Sequence, residues 1–266
     1  MVAIATLAPV LVSGCAPEPG AKASQSSFET LLPSSPELSA EQIMRSAHQA
    51  AGAETWRRPK TLVMDGYAIF YKGGEAVRHD RHRMWRVYDS SKQDAHKVDG
   101  KVRIRSERGG AAIIDLSYDG EVTYTPAGAQ PKSESDARWS SNFGFGVIRH
   151  ALDEGYTLAR LPDDLIDGKA TFMIEVNDAA GGVTHFGISQ NDYAILKVGF
   201  DTPRGWHERI YSNFYSNPGE SWVQPGRVRL YYNGVKNNEV IWETYTLNQA
   251  LPDCIFVLPE VPGCTD

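Results

Sequence analysis

Cysteine is scarce in this 266-residue chain, confined to Cys15, Cys254 and Cys264. Long apolar runs are scarcer still. Residues 2–12 form a short one, broken by Thr6 and Pro9. That is well below the ~20 residues a membrane-crossing helix needs, and no second stretch approaches that length. Excess positive charge is missing too: the net charge of −6 excludes the chain as a whole from binding nucleic acid. The familiar catalytic patterns are absent. There is no Gly-x-Ser-x-Gly elbow and no phosphate-binding loop. The run from Trp206 through His207 and Glu208 is not a His-Glu-x-x-His zinc motif, because position 211 is Tyr. Gly144 and Gly146 lack the third glycine of a dinucleotide fingerprint. No catalysis, cofactor or metal is therefore expected, although scattered Ser, His and Asp can converge in space.

What is present begins at the N-terminus. The apolar run has the length of a signal-peptide core and ends in Val12-Ser13-Gly14-Cys15. Small residues let an extended backbone enter a peptidase cleft, and a cysteine just after the cut offers a thiol for alkylation by diacylglycerol. The segment resembles the bacterial lipobox. It departs from the usual signal in having no Lys or Arg before Cys15, which a start further upstream would supply. Residues 1–14 are expected to be a lipoprotein signal, with lipidation at Cys15 tethering the chain to a membrane. Residues 15–38 are rich in Pro, Ser, Gly and Ala and cannot bury enough apolar surface to offset their ordering entropy. They are expected to be a flexible tether. No Asp follows Cys15; by resemblance to sorted lipoproteins this implies the outer membrane, facing the periplasm. With Cys15 lipidated, Cys254 and Cys264 remain as an even pair enclosing a Pro- and Gly-rich loop. An oxidising compartment favours a disulfide that staples the C-terminal tail. Two free thiols, or a metal pair completed from elsewhere, are the alternatives.

Residues 39–266 read as one domain. Ser39 and Gln42 match a capping box, and Ile43, Ala47 and Ala50 share one face of a short helix ending at Gly52. Strand patterns follow at 61–71, 81–88, 101–105, 113–118 and 121–125. Residues 142–154 suggest a helix weakened by Gly144 and Gly146, and 156–167 read as irregular. Strands resume at 170–176, 183–189, 193–200, 206–215, 227–232 and 240–247, the last pair joined through Asn233-Gly234. No αβ alternation appears. The expected fold is mainly β (α+β): a highly curved antiparallel sheet or open barrel with helices packed on the concave side.

Three segments carry a family resemblance: HQAAGAETWRRPKTLVMDG at 48–66, YAILKVGFDTPRGWHERIYSNFY at 193–215, and the closing NQALPDCIFVLPE with Phe256 three residues before Pro259. Together with the lipobox and spacer, they resemble the LolA/LolB-like superfamily of envelope lipoprotein carriers, over roughly residues 39–260. The resemblance implies a curved sheet and helices enclosing an apolar cavity for acyl chains. A chain with a lipid anchor sits nearer LolB and the lipid-binding lipoproteins than the soluble LolA.

Residues 78–108 hold ten basic and five acidic side chains. They suit either a rim for anionic lipid or simply the solvated outer faces of strands. His79 and His82 would point to opposite faces of a regular strand, which disfavours a shared metal. Phe70, Trp85, Trp206, Phe214 and Trp242 lie on predicted strands. They are the candidate ligand-binding residues, with ordinary core packing as the alternative. Two function classes follow: an envelope lipoprotein that binds or transfers a lipid or other hydrophobic ligand, or a non-catalytic accessory lipoprotein that docks a protein partner.

Overall fold

The computed structural model describes residues 38–89, 91, 98–131 and 146–264. The expected signal, Cys15 and nearly all of the expected tether lie outside the described residues. Among the described residues the α-helices are α1 (Ala40–Ala51), α2 (Ala53–Arg57) and α3 (Val147–His150). The strands are β1 (Thr61–Lys72), β2 (Glu75–Val87), β3 (Lys101–Arg108), β4 (Ala111–Tyr118), β5 (Thr123–Thr125), β6 (Gly128–Ala129), β7 (Thr157–Ile166), β8 (Lys169–Asn177), β9 (Val183–Ser189), β10 (Ile195–Thr202), β11 (Gly205–Tyr215), β12 (Gln224–Tyr232) and β13 (Val235–Leu247).

Among the described residues all 13 strands join one open sheet, in the order β6-β5-β4-β3-β2-β1-β13-β12-β11-β10-β9-β8-β7. Each adjacent pair in that order is antiparallel, as the short connections predict. Two meanders meet at β1 and β13, so the first and last strands lie side by side at the centre. Asn233 and Gly234 turn β12 into β13 with φ of 49° and 76°. Both values are left-handed, as a two-residue hairpin turn requires.

Helix α1 starts as its capping box dictates. The Gln42 amide donates to Ser39 Oγ at 3.2 Å, and the Ser39 amide to Gln42 Oε1 at 2.8 Å. Its fully buried Ile43, Met44 and Ala47 join Trp56 of α2 and Ile148 of α3 in the main core. That core packs on Leu62, Met64 and Ala68 of β1, Phe172 and Ile174 of β8, Phe186 of β9 and Phe200 of β10. The side of the sheet that carries the helices is the inner face.

The outer face carries the C-terminal tail. Residues Asp253–Phe256 form a 3-10 turn that sets Ile255 and Phe256 against Val63 and Trp85. Ser117 Oγ donates to the Phe256 carbonyl at 2.9 Å, and Arg103 Nη1 to the Ile255 carbonyl at 3.2 Å. Arg103 also forks onto Asp115 with two bonds of 2.9 Å and reaches Glu260 at 2.6 Å. Alternation along β3 turns Arg103 outward, but the tail covers it and leaves it 5% exposed. Cys254 and Cys264 are joined in a disulfide, with Cα atoms 6.0 Å apart.

Two readings of the sequence differ from this structure. Residues 156–167 are not irregular: Thr157–Ile166 is strand β7, one edge of the sheet among the described residues. Pro162 and the adjacent Asp163 and Asp164 hide the strand pattern, and the ladder breaks between Leu161 and Asp164. An edge tolerates such residues because a missing amide there costs no ladder bond. The helix expected at 142–154 is described from residue 146 only, and within that part only Val147–His150 is α-helical.

Candidate binding cavity

Alternation along β1 sends Leu62, Met64, Gly66, Ala68 and Phe70 to the inner face, and the pairing register continues the row onto both neighbours. Gly66 has a steric reason. A Cβ there would meet the Ile241 carbonyl oxygen at 1.8 Å, because the β1–β13 ladder shifts register between Asp65 and Gly66. These rows bound a cavity of about 410 Å³ on the inner face. One wall is apolar: Leu62, Met64 and Phe70 of β1, Met84 of β2, Ile104 of β3, and Ile114 and Leu116 of β4. Val240 and Trp242 of β13, with Val228 and Leu230 of β12, continue it. The facing wall is built by Arg209 and Tyr211 of β11 with Tyr232 of β12. Trp56, Arg149 and Trp222 lie where α2, α3 and the β11–β12 connection close the helix end, beside Arg86, Tyr88 and Asp99.

Polar groups in this chamber are held in place. The Arg149 guanidinium lies within 5.0 Å of the Trp56 ring, 4.9 Å of Tyr88 and 5.8 Å of Trp222. Its Nε donates to the Trp56 carbonyl at 3.0 Å. Arg86 pairs with Asp99 and lies 4.7 Å from the Tyr88 ring, which Arg149 also meets. Arg209 Nε donates to His207 Nε2 at 3.1 Å. Burial pushes the Tyr211 phenol up to about 12. Behind the helices, His48 Nε2 donates to the Ile148 carbonyl at 2.6 Å; burial nevertheless lowers its affinity for a proton.

His79 and His82 correct an expectation. Strict alternation would separate them, but the β1–β2 ladder slips between Gly66 and Ala68. His82 opposes Gly66 while His79 opposes Ala68, so both rings face inward. An extra residue in one strand resets the parity of everything beyond it. The two histidines are buried, 6% and 7% exposed, while Arg78, Asp80 and Arg81 around them are solvated. His79 Nδ1 shares a 2.7 Å hydrogen bond with Ser106 Oγ, and its ring lies 4.5 Å from Phe70. The His82 ring lies 5.2 Å from Trp242, and its Nδ1 has no hydrogen-bond partner among the described residues. Burial, with a smaller contribution from His79, pushes the His82 imidazole down to about 4, so it is neutral at pH 7. Among the described residues no group of three or more His, Cys, Asp or Glu could hold a metal.

The five aromatic candidates fall in different places. Phe70 and Trp242 line the cavity. Phe214 packs against the inner core without lining it. Trp85 lies on the outer face beneath the tail, with the Arg83 and Arg103 guanidiniums 4.7 and 5.4 Å from its ring. Trp206 lies across Gly199, its ring 5.4 Å from His185. The sequence reading did not single out Arg86, Arg149, Arg209 or Tyr211. Arg209 and Tyr211 share a parity on β11 that places both inward, a usable signal once the face of the strand is known. Arg149 lies in the glycine-weakened helix pattern at 142–154, off its apolar side, and gave none.

No protein-family model matches the chain, and no curated protein matches it. Solved structures do match. The chain is similar to a candidate outer membrane lipoprotein-sorting protein domain from Vibrio parahaemolyticus, at 14% identity and a TM-score of 0.50, over 80% of this chain and 95% of that one. It is also similar to a DUF1329 family protein from Desulfovibrio piger, at 10% identity and a TM-score of 0.51, over 83% and 98%. A LolA superfamily protein from Nitrosomonas europaea aligns at 14% identity and a TM-score of 0.49, over 83% and 98%. At these identities the likeness is one of fold: a large antiparallel sheet with few helices.

Proposed function

We propose that this chain is a bacterial envelope lipoprotein, anchored through Cys15, whose inner cavity holds a lipid or another hydrophobic ligand without catalysing a reaction on it. The observation that carries the reading is the cavity itself. Its volume of about 410 Å³ falls in the ~300–1,000 Å³ range of small-molecule sites. It is bounded by seven consecutive strands, from β4 through β1 and β13 to β11. Laid flat, seven strands stretch about 29 Å from first to last. For all of them to border one small cavity the sheet must curl, which supports the curved sheet with helices on its concave side. An apolar chain placed inside gains roughly 0.8 kcal/mol per buried methylene.

The lipobox-like segment before Cys15 supports the anchor, and the sorting-domain likeness supports an envelope location. The competing role, docking of a protein partner, would be favoured by a filled interior and an exposed aromatic patch. The large hydrophobics exposed among the described residues are Ile113, Leu165, Val183, Val235 and Val261, none of them aromatic. Two measurements test the reading. Native mass spectrometry of the full chain bearing Cys15→Ser, purified from bacterial cells, is expected to show co-purifying lipid or one-to-one uptake of an added acyl ligand. A bare mass with no uptake contradicts ligand binding. The native chain should partition with membranes and gain the mass of a diacylglyceryl group, and Cys15→Ser should abolish both. A membrane fraction unchanged by the substitution contradicts the anchor.

A further inference from the structure

The two long walls of the cavity differ in chemistry. Opposite the apolar wall of β1–β4 runs a continuous polar strip along β11. It starts at the β10–β11 turn, where the exposed Arg204 guanidinium lies 4.0 Å above the Tyr232 ring. Tyr232 meets His207 edge-on at 4.9 Å, and His207 accepts from Arg209, whose positive charge also bears on the Tyr211 phenol. Arg204, Arg209, Tyr211 and Tyr232 all line the cavity. In total four arginines and one carboxylate, Asp99, line it among the described residues, and Asp99 is already paired with Arg86 at the helix end. Two of the four arginines, Arg204 and Arg209, therefore place positive charge along this strip, away from the helix end where Arg86 and Arg149 lie.

A pure hydrocarbon gains nothing from such a wall. A cationic head would be repelled by it. An anionic head gains charge-assisted bonds from the planar guanidinium fork, in surroundings where water competes poorly. We propose that the ligand is a single-headed anionic amphiphile, its carboxylate or phosphate held by Arg209 and Arg204 and its chain laid against Met64, Met84, Ile104 and Leu116. The inference rests on the lipid-binding reading above and names the chemistry of the ligand at that same cavity. Arg204 is the outer contact, reached first from solvent. Arg209 is the inner one, held in place by His207.

The test is a titration of tryptophan fluorescence in the full chain bearing Cys15→Ser, since Trp56, Trp222 and Trp242 line the cavity. Four probes share one chain length below their micelle concentrations: dodecanoate, dodecyl phosphate, dodecanol and dodecyltrimethylammonium. Inorganic phosphate is the fifth. At least one of the two anionic amphiphiles should bind about 10- to 100-fold tighter than dodecanol and the cation, the range of one to two charge-assisted bonds. The preferred anion identifies the head. Arg209→Gln should erase most of that preference, costing the anions far more affinity than it costs dodecanol. Arg204→Gln, an exposed substitution that leaves the fold intact, should weaken the anions several-fold. Equal binding of dodecanol or the cation overturns the anionic head and leaves lipid binding standing. Inorganic phosphate binding as tightly as dodecyl phosphate overturns the amphiphile. Failure of all the chain-bearing probes overturns both readings.

Discussion

His82 shows how a single residue escapes a pattern read from sequence. Period-two alternation correctly assigns Leu62, Met64 and Phe70 to one face, because every second side chain of a regular strand points the same way. It fails for His79 and His82 because the bulge between them leaves no mark in composition. The same two histidines thus change from solvated groups on opposite faces to buried neighbours beside Phe70 and Trp242. A pH dependence follows. Above pH 6.5 His82 is neutral both folded and unfolded and contributes no slope. Between 6.5 and its folded value of about 4, the unfolded chain takes up a proton that the folded chain refuses. Stability therefore falls as pH falls through that window, by up to about 1.4 kcal/mol per unit from this residue. His48 and His79 are shifted the same way and steepen the loss. In denaturant unfolding at pH 7.0, 6.0 and 5.0, His82→Gln should flatten the slope relative to the native chain. An unchanged slope means that His82 titrates normally and is not enclosed.

At the scale of elements, the legible ones announce themselves through local chemistry. The Ser39–Gln42 capping box starts α1 where it was expected, and Asn233-Gly234 turns β12 into β13. The obscure ones depend on distant partners. Strand β7 carries Pro162 and two adjacent aspartates, and it becomes a strand by pairing with β8. The tail has no regular pattern, yet Phe256 is fully buried because β1 and β2 present Val63 and Trp85 to it. Its disulfide closes a short loop, and the chain-entropy relation assigns such a loop about 3 kcal/mol. Replacing Cys254 and Cys264 together by serine should lower stability by about 2–3 kcal/mol. Hydrogen exchange should quicken at Ile255 and Val257, whose amides donate to the Pro252 and Cys254 carbonyls. The inner cavity, on the opposite face, should keep its ligand affinity. A loss of affinity in this variant would show that the tail and the cavity are coupled.

For the whole molecule, the fold was more legible than the site. Short strands with tight turns and no αβ alternation lead to one antiparallel sheet, and the sheet is found. A hollow interior was not legible, because alternation reports which face a side chain takes and not whether that face is filled. Phe70 and Trp242 line the cavity while Trp206 and Trp85 pack elsewhere, although all four share the same strand-like setting in sequence. The central claim is that ligand occupies the space between β1–β4 and β11–β13. Filling that space tests it most directly. Met84→Trp combined with Ile104→Phe adds bulk to the apolar wall. The measurement is the stoichiometry of acyl-ligand uptake by native mass spectrometry, compared between native and filled chains of matching circular dichroism. One ligand per native chain and none per filled chain is the expected result. Equal uptake by a folded, filled chain would contradict it.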